Sequence, residues 1–205
     1  ASRGAVIEGN TISGAAEHGV RISTGSRSLR LVGNRIEKAG ISAIFIDSGT
    51  ANVTLERNRL TASQGDALSI RQAHCIRIRD NLVENAGGNG IKVRQSPGVE
   101  LSGNVLRRNA SAGVLLRDQQ RGPETVLARN VFTANQSGLS GAGASRLRLA
   151  GNDFTRQFPR LVSGDLVYGA RELLTDLVGS SPIVLEPAGA VSTGAPPACQ
   201  FPEGA

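Results

Sequence analysis

Arg71, Arg94 and Arg117 stand 23 residues apart. If that interval is one structural repeat, the three guanidinium groups stack in a column, where like charges repel unless anions or carboxylates lie between them. Such a column would grip a run of carboxylates or sulfates, because each guanidinium fork presents paired N–H donors to an oxyanion. The same alignment puts Ser23 and Asp47 at the head of the column. It puts Arg21, Phe45, Ser69, Lys92 and Leu115 in the next outward column. Arg21, Asp47, Arg71, Lys92, Arg94 and Arg117 are therefore the candidate substrate-binding residues. The competing reading is a solvated face neutralised by local pairs such as Asp47–Arg71 and Arg117–Asp118. A second basic series, Arg30, Arg77, Arg79 and Arg148, reads as a column on another face and weighs against singling out the first.

A proton-transfer group would have to sit beside these cations. His18 does, at the rim near Arg21, and is the candidate catalytic base, with an ordinary surface histidine as the alternative. Asp66 lies along the same rim. Asp47 and Asp66 fall in adjacent repeats and would make a carboxylate pair only across offset columns. His74 and Cys75 form a two-residue pair with no further ligands, a poor metal site. Neither a metal nor another cofactor is expected. The chain contains no phosphate loop, serine elbow or dinucleotide fingerprint. With one Tyr, five Phe and no Trp, it has little to stack on nucleic-acid bases, so nucleic acid is not the expected partner.

What positions these side chains is a repeat. Asn10, Asn34, Asn58, Asn81, Asn104, Asn130 and Asn152 follow one another at 24, 24, 23, 23, 26 and 22 residues. Three positions before each stands Ile or Leu, and two positions after stands Ile, Leu, Val or Phe. A second apolar pair follows a small residue, as in Val20 and Ile22, Ile44 and Ile46, Leu68 and Ile70, Ile91 and Val93, and Val114 and Leu116. Each pair alternates at i, i+2, which is strand periodicity; no helical stripe appears within the repeats. A period in the twenties built from short strands and Gly or Asn turns describes one coil of a right-handed parallel β-helix. Coils would stack about 4.8 Å apart, the ordinary interstrand spacing.

The asparagines read as structural. At one turn of each coil the amide can bond its own backbone and tolerate a left-handed conformation, and in register each can donate to the amide of the next coil. The small series Gly19, Ala43, Ala67, Gly90, Gly113 and Gly138 reads as a close approach at a coil corner. Asn52, Asn109 and Asn135 head N-x-[ST] triplets of the kind an Asn-rich repeat generates by chance.

About six to seven coils are expected over residues 1–157. Residues 158–205 are expected to form a cap: a helix over 165–178, with Tyr168 and Leu166 in it, and an extended tail behind. The sequence enters in mid-coil, which suggests either further coils upstream or a partner at that end, since open strand edges are usually protected. Cys75 and Cys199 are too few for a disulfide scaffold. A bridge between them would tie the tail to the body; two free thiols are the alternative. No apolar run reaches the roughly 18–20 residues of a membrane span. The net charge of +6 favours acidic partners.

The coil phrase, a small residue followed by [IV]-x-[IV]-R-x-S with N-x-[IVL] closing the turn, resembles the parallel β-helix repeat family. That family includes pectate-lyase-like enzymes, polysaccharide lyases and mannuronan C5-epimerases. HGVRIS (18–23) and NGIKVRQS (89–96) are especially similar to repeats of the alginate epimerases, and the likeness covers about residues 4–155. The epimerase signature Asp-Pro-His-Asp does not occur in the chain, so no catalytic residue is carried over from it. The resemblance implies an exported, periplasmic or secreted, protein acting on or binding an anionic, uronate-containing polysaccharide. In such chemistry Arg or Lys neutralises the uronate carboxylate while a base removes the C5 proton; β-elimination then gives a lyase and reprotonation an epimerase. The alternative is a non-catalytic carbohydrate-binding or assembly scaffold. A trimeric tailspike-like fibre is disfavoured, because the coils lack an outward apolar stripe.

Overall fold

The structure, a computed structural model, describes residues 1–119, 123–143, 147–164, 166, 183–185 and 199. Alternating apolar residues give each coil three short strands; in the third coil these are Ala51–Glu56, Arg59–Thr61 and Leu68–Arg71. Equivalent strands of successive coils pair, parallel throughout the coils, into a first sheet of eight strands and a second and third of seven each. The molecule is thus an all-β solenoid of about seven turns, and no α-helix occurs among the described residues. The core runs along its axis. Leu31, Leu55, Ile78, Leu101, Leu127 and Leu149 align through the first sheet and are all buried. Phe132 and Phe154 stack with ring centroids 4.4 Å apart near the C-terminal end of the second-sheet column. Buried Leu166 closes the axis beyond them. It lies where a Cβ on Gly141 would be.

The asparagine turn is a continuous ladder. Asn34, Asn58, Asn81, Asn104 and Asn130 each donate an Nδ2–H to Oδ1 of the asparagine one coil on, at 2.9–3.0 Å. Each also donates to a carbonyl of the preceding coil, as Asn104 does to Ile78 at 2.9 Å. The left-handed residue, however, is not the asparagine but the one before it: Gly33, Arg57, Asp80, Gly103 and Arg129 have φ of 62, 51, 56, 65 and 53°. The neighbour takes the reversal, so the amide keeps a backbone that aims it inward along the stack. A second ladder joins Asn109 to Asn135 at 2.8 Å and Asn135 to Gln157 at 2.9 Å. Two of the N-x-[ST] asparagines are therefore buried structural groups.

Gly113 shows what the small corner residue is for. A Cβ there would stand 2.8 Å from the Gly138 carbonyl oxygen and 2.8 Å from the Phe132 ring.

Toward the C-terminus, Arg160–Gly164 adds a further parallel strand to the third sheet. Ile183–Leu185 pairs antiparallel with Leu147–Ala150 and covers that edge of the first sheet. The cap helix expected over 165–178, with Tyr168, lies outside the described residues apart from Leu166. Cys75 and Cys199 form a disulfide with Cα atoms 5.2 Å apart, across 124 residues. By the loop-closure argument a link of that span contributes about 5 kcal/mol. At the opposite end the first-coil residues Ile7, Ile12 and Val20 are only partly buried.

Candidate functional site

The third sheet brings the candidate residues together. Its hydrogen-bonded register places Arg71, Arg94 and Arg117 directly beside one another, and aligns Arg21 with Phe45 and Ser69 with Lys92 and Leu115. The three column arginines are each about half exposed.

Their partners lie at the two ends of the column. Buried Asp47 accepts from Arg71 Nη2 at 2.8 Å and from Arg21 Nη2 at 3.2 Å, and its other contacts are the Ser48 N–H and hydroxyl. The Arg71 guanidinium above all, with the Ser48 N–H and Arg21 behind it, holds the Asp47 carboxyl far below the usual carboxylate range, against the opposing effect of burial. Asp118 receives Arg94 Nε at 3.3 Å and Arg117 Nε at 3.6 Å. No carboxylate bridges Arg71 and Arg94 among the described residues. Lys92 Nζ lies 3.5 Å from Asp66 Oδ2, while Asp66 Oδ1 accepts from the Asn89 backbone and side chain at 2.9 and 2.7 Å. Asp47 and Asp66 thus have separate partners and do not form a dyad. In this group of ion pairs five cations, Arg21, Arg71, Lys92, Arg94 and Arg117, face three carboxylates, an excess of two positive charges.

His18 stands at the N-terminal end of the face. Its ring stacks on Phe45 at 4.8 Å with 13° between planes. The Arg21 and Arg71 guanidinium carbons each lie 5.7 Å from the same ring centroid, within cation–π range. Phe45 therefore joins His18 to the two arginines that share Asp47. The His18 Nδ1 is buried and has no hydrogen-bond partner among the described residues. The sequence sets Arg21 beside Phe45 in one column, but it does not show the His18 and Arg71 contacts, which run diagonally between coils.

The second basic series does not form a comparable column. Arg30, Arg77 and Arg148 share a first-sheet register with Thr54, Glu100 and Val126 between them. Arg79 lies elsewhere, aligned with Glu56 and Ser102. Arg77 pairs with Glu100, Arg79 with Glu56 and Arg148 with Glu124. A run of three consecutive arginines occurs on the third sheet, and this face breaks it up. Sequence reasoning also missed a cluster on the second sheet, where Arg59, Arg107 and Arg108 meet Glu84. Among the described residues no three His, Cys, Asp or Glu side chains gather as a metal site.

Residues 1–64 and 49–172 match the family described as right handed beta helix region. No curated protein matches the chain. Solved structures similar to it include the periplasmic alginate epimerase AlgG, at 22% identity and a TM-score of 0.57, covering 79% of this chain and 40% of that one. The A-module of mannuronan C-5 epimerase AlgE6 from Azotobacter vinelandii is 17% identical with a TM-score of 0.64, covering 79% of this chain and 53% of the module. Full-length tailspike protein 2 from Escherichia coli O157:H7 bacteriophage CAB120 is 12% identical with a TM-score of 0.56, covering 72% and 23%. The chain spans only 40% and 53% of the first two. At these identities the likeness is one of fold.

Proposed function

The chain belongs to the right-handed β-helix family, and from that premise we propose that its third sheet binds an anionic, uronate-containing polysaccharide lengthwise. The observation that carries this reading is the Arg71–Arg94–Arg117 column, with carboxylates bonded at its ends and, among the described residues, none between Arg71 and Arg94. Guanidinium groups repeating at about 4.8 Å meet a polymer that carries one carboxylate per sugar, and Lys92 and Arg21 widen the cationic strip. Asp47 and Asp118 fix the arginine side chains, so less side-chain entropy is lost on binding. The neighbouring epimerases, named for alginate and mannuronan, support a polyuronate. The disulfide and the periplasmic setting named for AlgG support an exported protein.

Binding is favoured over turnover. A base acting through one imidazole nitrogen is strengthened when an acceptor holds the other N–H and stabilises the developing imidazolium; the buried Nδ1 of His18 meets no such acceptor among the described residues. An epimerase or lyase reading with His18 as base is favoured only by its position beside the Arg21–Asp47–Arg71 group.

Calorimetric titration with polymannuronate, against a neutral glucan as control, tests the proposal. Wild type should bind only the polyanion, and Arg94→Glu should lose most of that affinity; equal binding by both proteins would refute the reading. Incubation with the polymer in deuterated water separates the two chemistries: olefinic signals mark a lyase, loss of the C5 proton without them an epimerase, and no change a binding surface.

A further inference from the structure

Outside this face, the most concentrated charge cluster in the described structure lies on the second sheet. Glu84 is buried, 2% exposed, at the end of a three-residue strand. Its Oε1 accepts from Arg59 Nη2 at 2.9 Å. Its Oε2 accepts from Arg107 Nε at 2.7 Å and from Arg108 Nη2 at 3.1 Å, and Arg107 Nη2 lies 2.7 Å from the same oxygen. The sheet puts Arg59 and Arg107 in the coils on either side of Glu84, and Arg108 takes the next turn position with φ of 53°. Burial pushes the Glu84 carboxyl up, but the hydrogen bonds from Arg107 and Arg108 outweigh it, so the group stays ionised at neutral pH.

One carboxylate needs one guanidinium. Three around one leave two positive charges in excess, pinned by a buried anchor that cannot swing away. Three of the fifteen guanidinium N–H donors are hydrogen-bonded to Glu84, counting five per arginine. The three side chains are 49, 38 and 56% exposed, so unspent donors are open to solvent on one side of a fixed carboxylate.

We propose that Arg59, Arg107 and Arg108, held in place by Glu84, form a discrete site for a phosphate dianion, separate from the polymer-binding face. Charge selects the ligand: an excess of two matches a phosphate group carrying about −1.5 to −2 at neutral pH, whereas a single carboxylate neutralises only half of it. Three guanidinium forks gathered around one carboxylate also suit a tetrahedral oxyanion, which offers acceptors in three directions. The group is supplied either as free phosphate or as a phosphomonoester on a sugar. This proposal is independent of the polyuronate reading, since no residue is shared.

The test is calorimetric titration of the whole chain at constant ionic strength, with inorganic phosphate in one arm and a hexose phosphate in the other. The probes are wild type, the double variant Arg59→Gln, Arg108→Gln, and Arg35→Gln. Arg35 lies in the Arg59 column but pairs with Glu37, away from the cluster. Wild type and Arg35→Gln should bind phosphate alike. The double variant should bind it at least roughly tenfold more weakly, the equivalent of one charge-assisted hydrogen bond. Comparable binding of the hexose phosphate identifies the monoester as a ligand; binding of phosphate alone assigns the site to the free anion. Absence of binding in both arms, or equal binding by wild type and the double variant, overturns the proposal. Polymannuronate affinity measured on the same double variant keeps the two sites apart, and it should be unchanged.

Discussion

The asparagine turn and the arginine column are made by the same operation, one residue repeated coil after coil in register, with opposite consequences. An amide carries a donor and an acceptor, so a stack of amides satisfies itself: each Oδ1 receives the Nδ2–H of the coil before. A guanidinium carries only donors, so a stack of guanidiniums cannot. The chain supplies Asp47 and Asp118 at the ends of the arginine column and, among the described residues, nothing between Arg71 and Arg94. Register alone therefore builds stability where the repeated group is self-complementary, and leaves donors open to solvent where it is not.

The difference can be broken first at the ladder. Asn104 is fully buried, accepts from the Asn81 N–H and Nδ2–H, and donates to Ile78 and Asn130. Asn104→Ala should lower stability in urea unfolding by about 3 kcal/mol, from several buried polar groups left unpaired, and leave polymer affinity of the folded protein unchanged.

Asp47 is where the two regions exchange roles, since it is a carboxylate the column does supply. Asp47→Asn should cost about 1–2 kcal/mol at neutral pH and tighten polyanion binding by raising the excess charge. Its folded-state carboxyl lies below the ordinary value, so the stability it contributes is fully present above about pH 4 and is lost as pH falls through the folded value. The stability gap between wild type and Asp47→Asn should shrink on acidification below about pH 4, as measured by urea midpoints across pH.

Arg94→Gln sharpens the contrast from the other side. It should weaken polymannuronate binding roughly tenfold by calorimetry while changing stability by less than about 1 kcal/mol, because its pair with Asp118 is half exposed. Lys92→Ala should have the smallest effect, a loss of affinity of only a few-fold and about 0.5 kcal/mol or less in stability, since its contact with Asp66 is a 3.5 Å ion pair.

Much of the fold was legible because it is written once per coil. The inward Ile and Leu positions, the Asn turn and the register of Arg71, Arg94 and Arg117 all follow from the period. The left-handed residue before each Asn was not, because Gly, Arg and Asp fill it in different coils and share no side-chain signal. The second ladder is confined to Asn109, Asn135 and Gln157; three members, one of them Gln, leave too short a run for a period. Partner choice was the least legible. The local pairs Asp47–Arg71 and Arg117–Asp118 were readable from the columns, but Asp118 also takes Arg94 from the coil before, Phe45 meets His18 diagonally, and Glu84 meets its arginines from a three-residue strand. Side-chain reach across coils decides these contacts, and spacing along one chain does not encode it.

The most direct test of the central claim is the salt dependence of polymannuronate affinity, for wild type beside the triple variant Arg71→Gln, Arg94→Gln, Arg117→Gln. Wild type should bind with an affinity that falls steeply as salt rises, and the triple variant should bind weakly with a much flatter dependence. Equal affinity and equal slope for the two proteins would contradict it, leaving the arginine column as a solvated face.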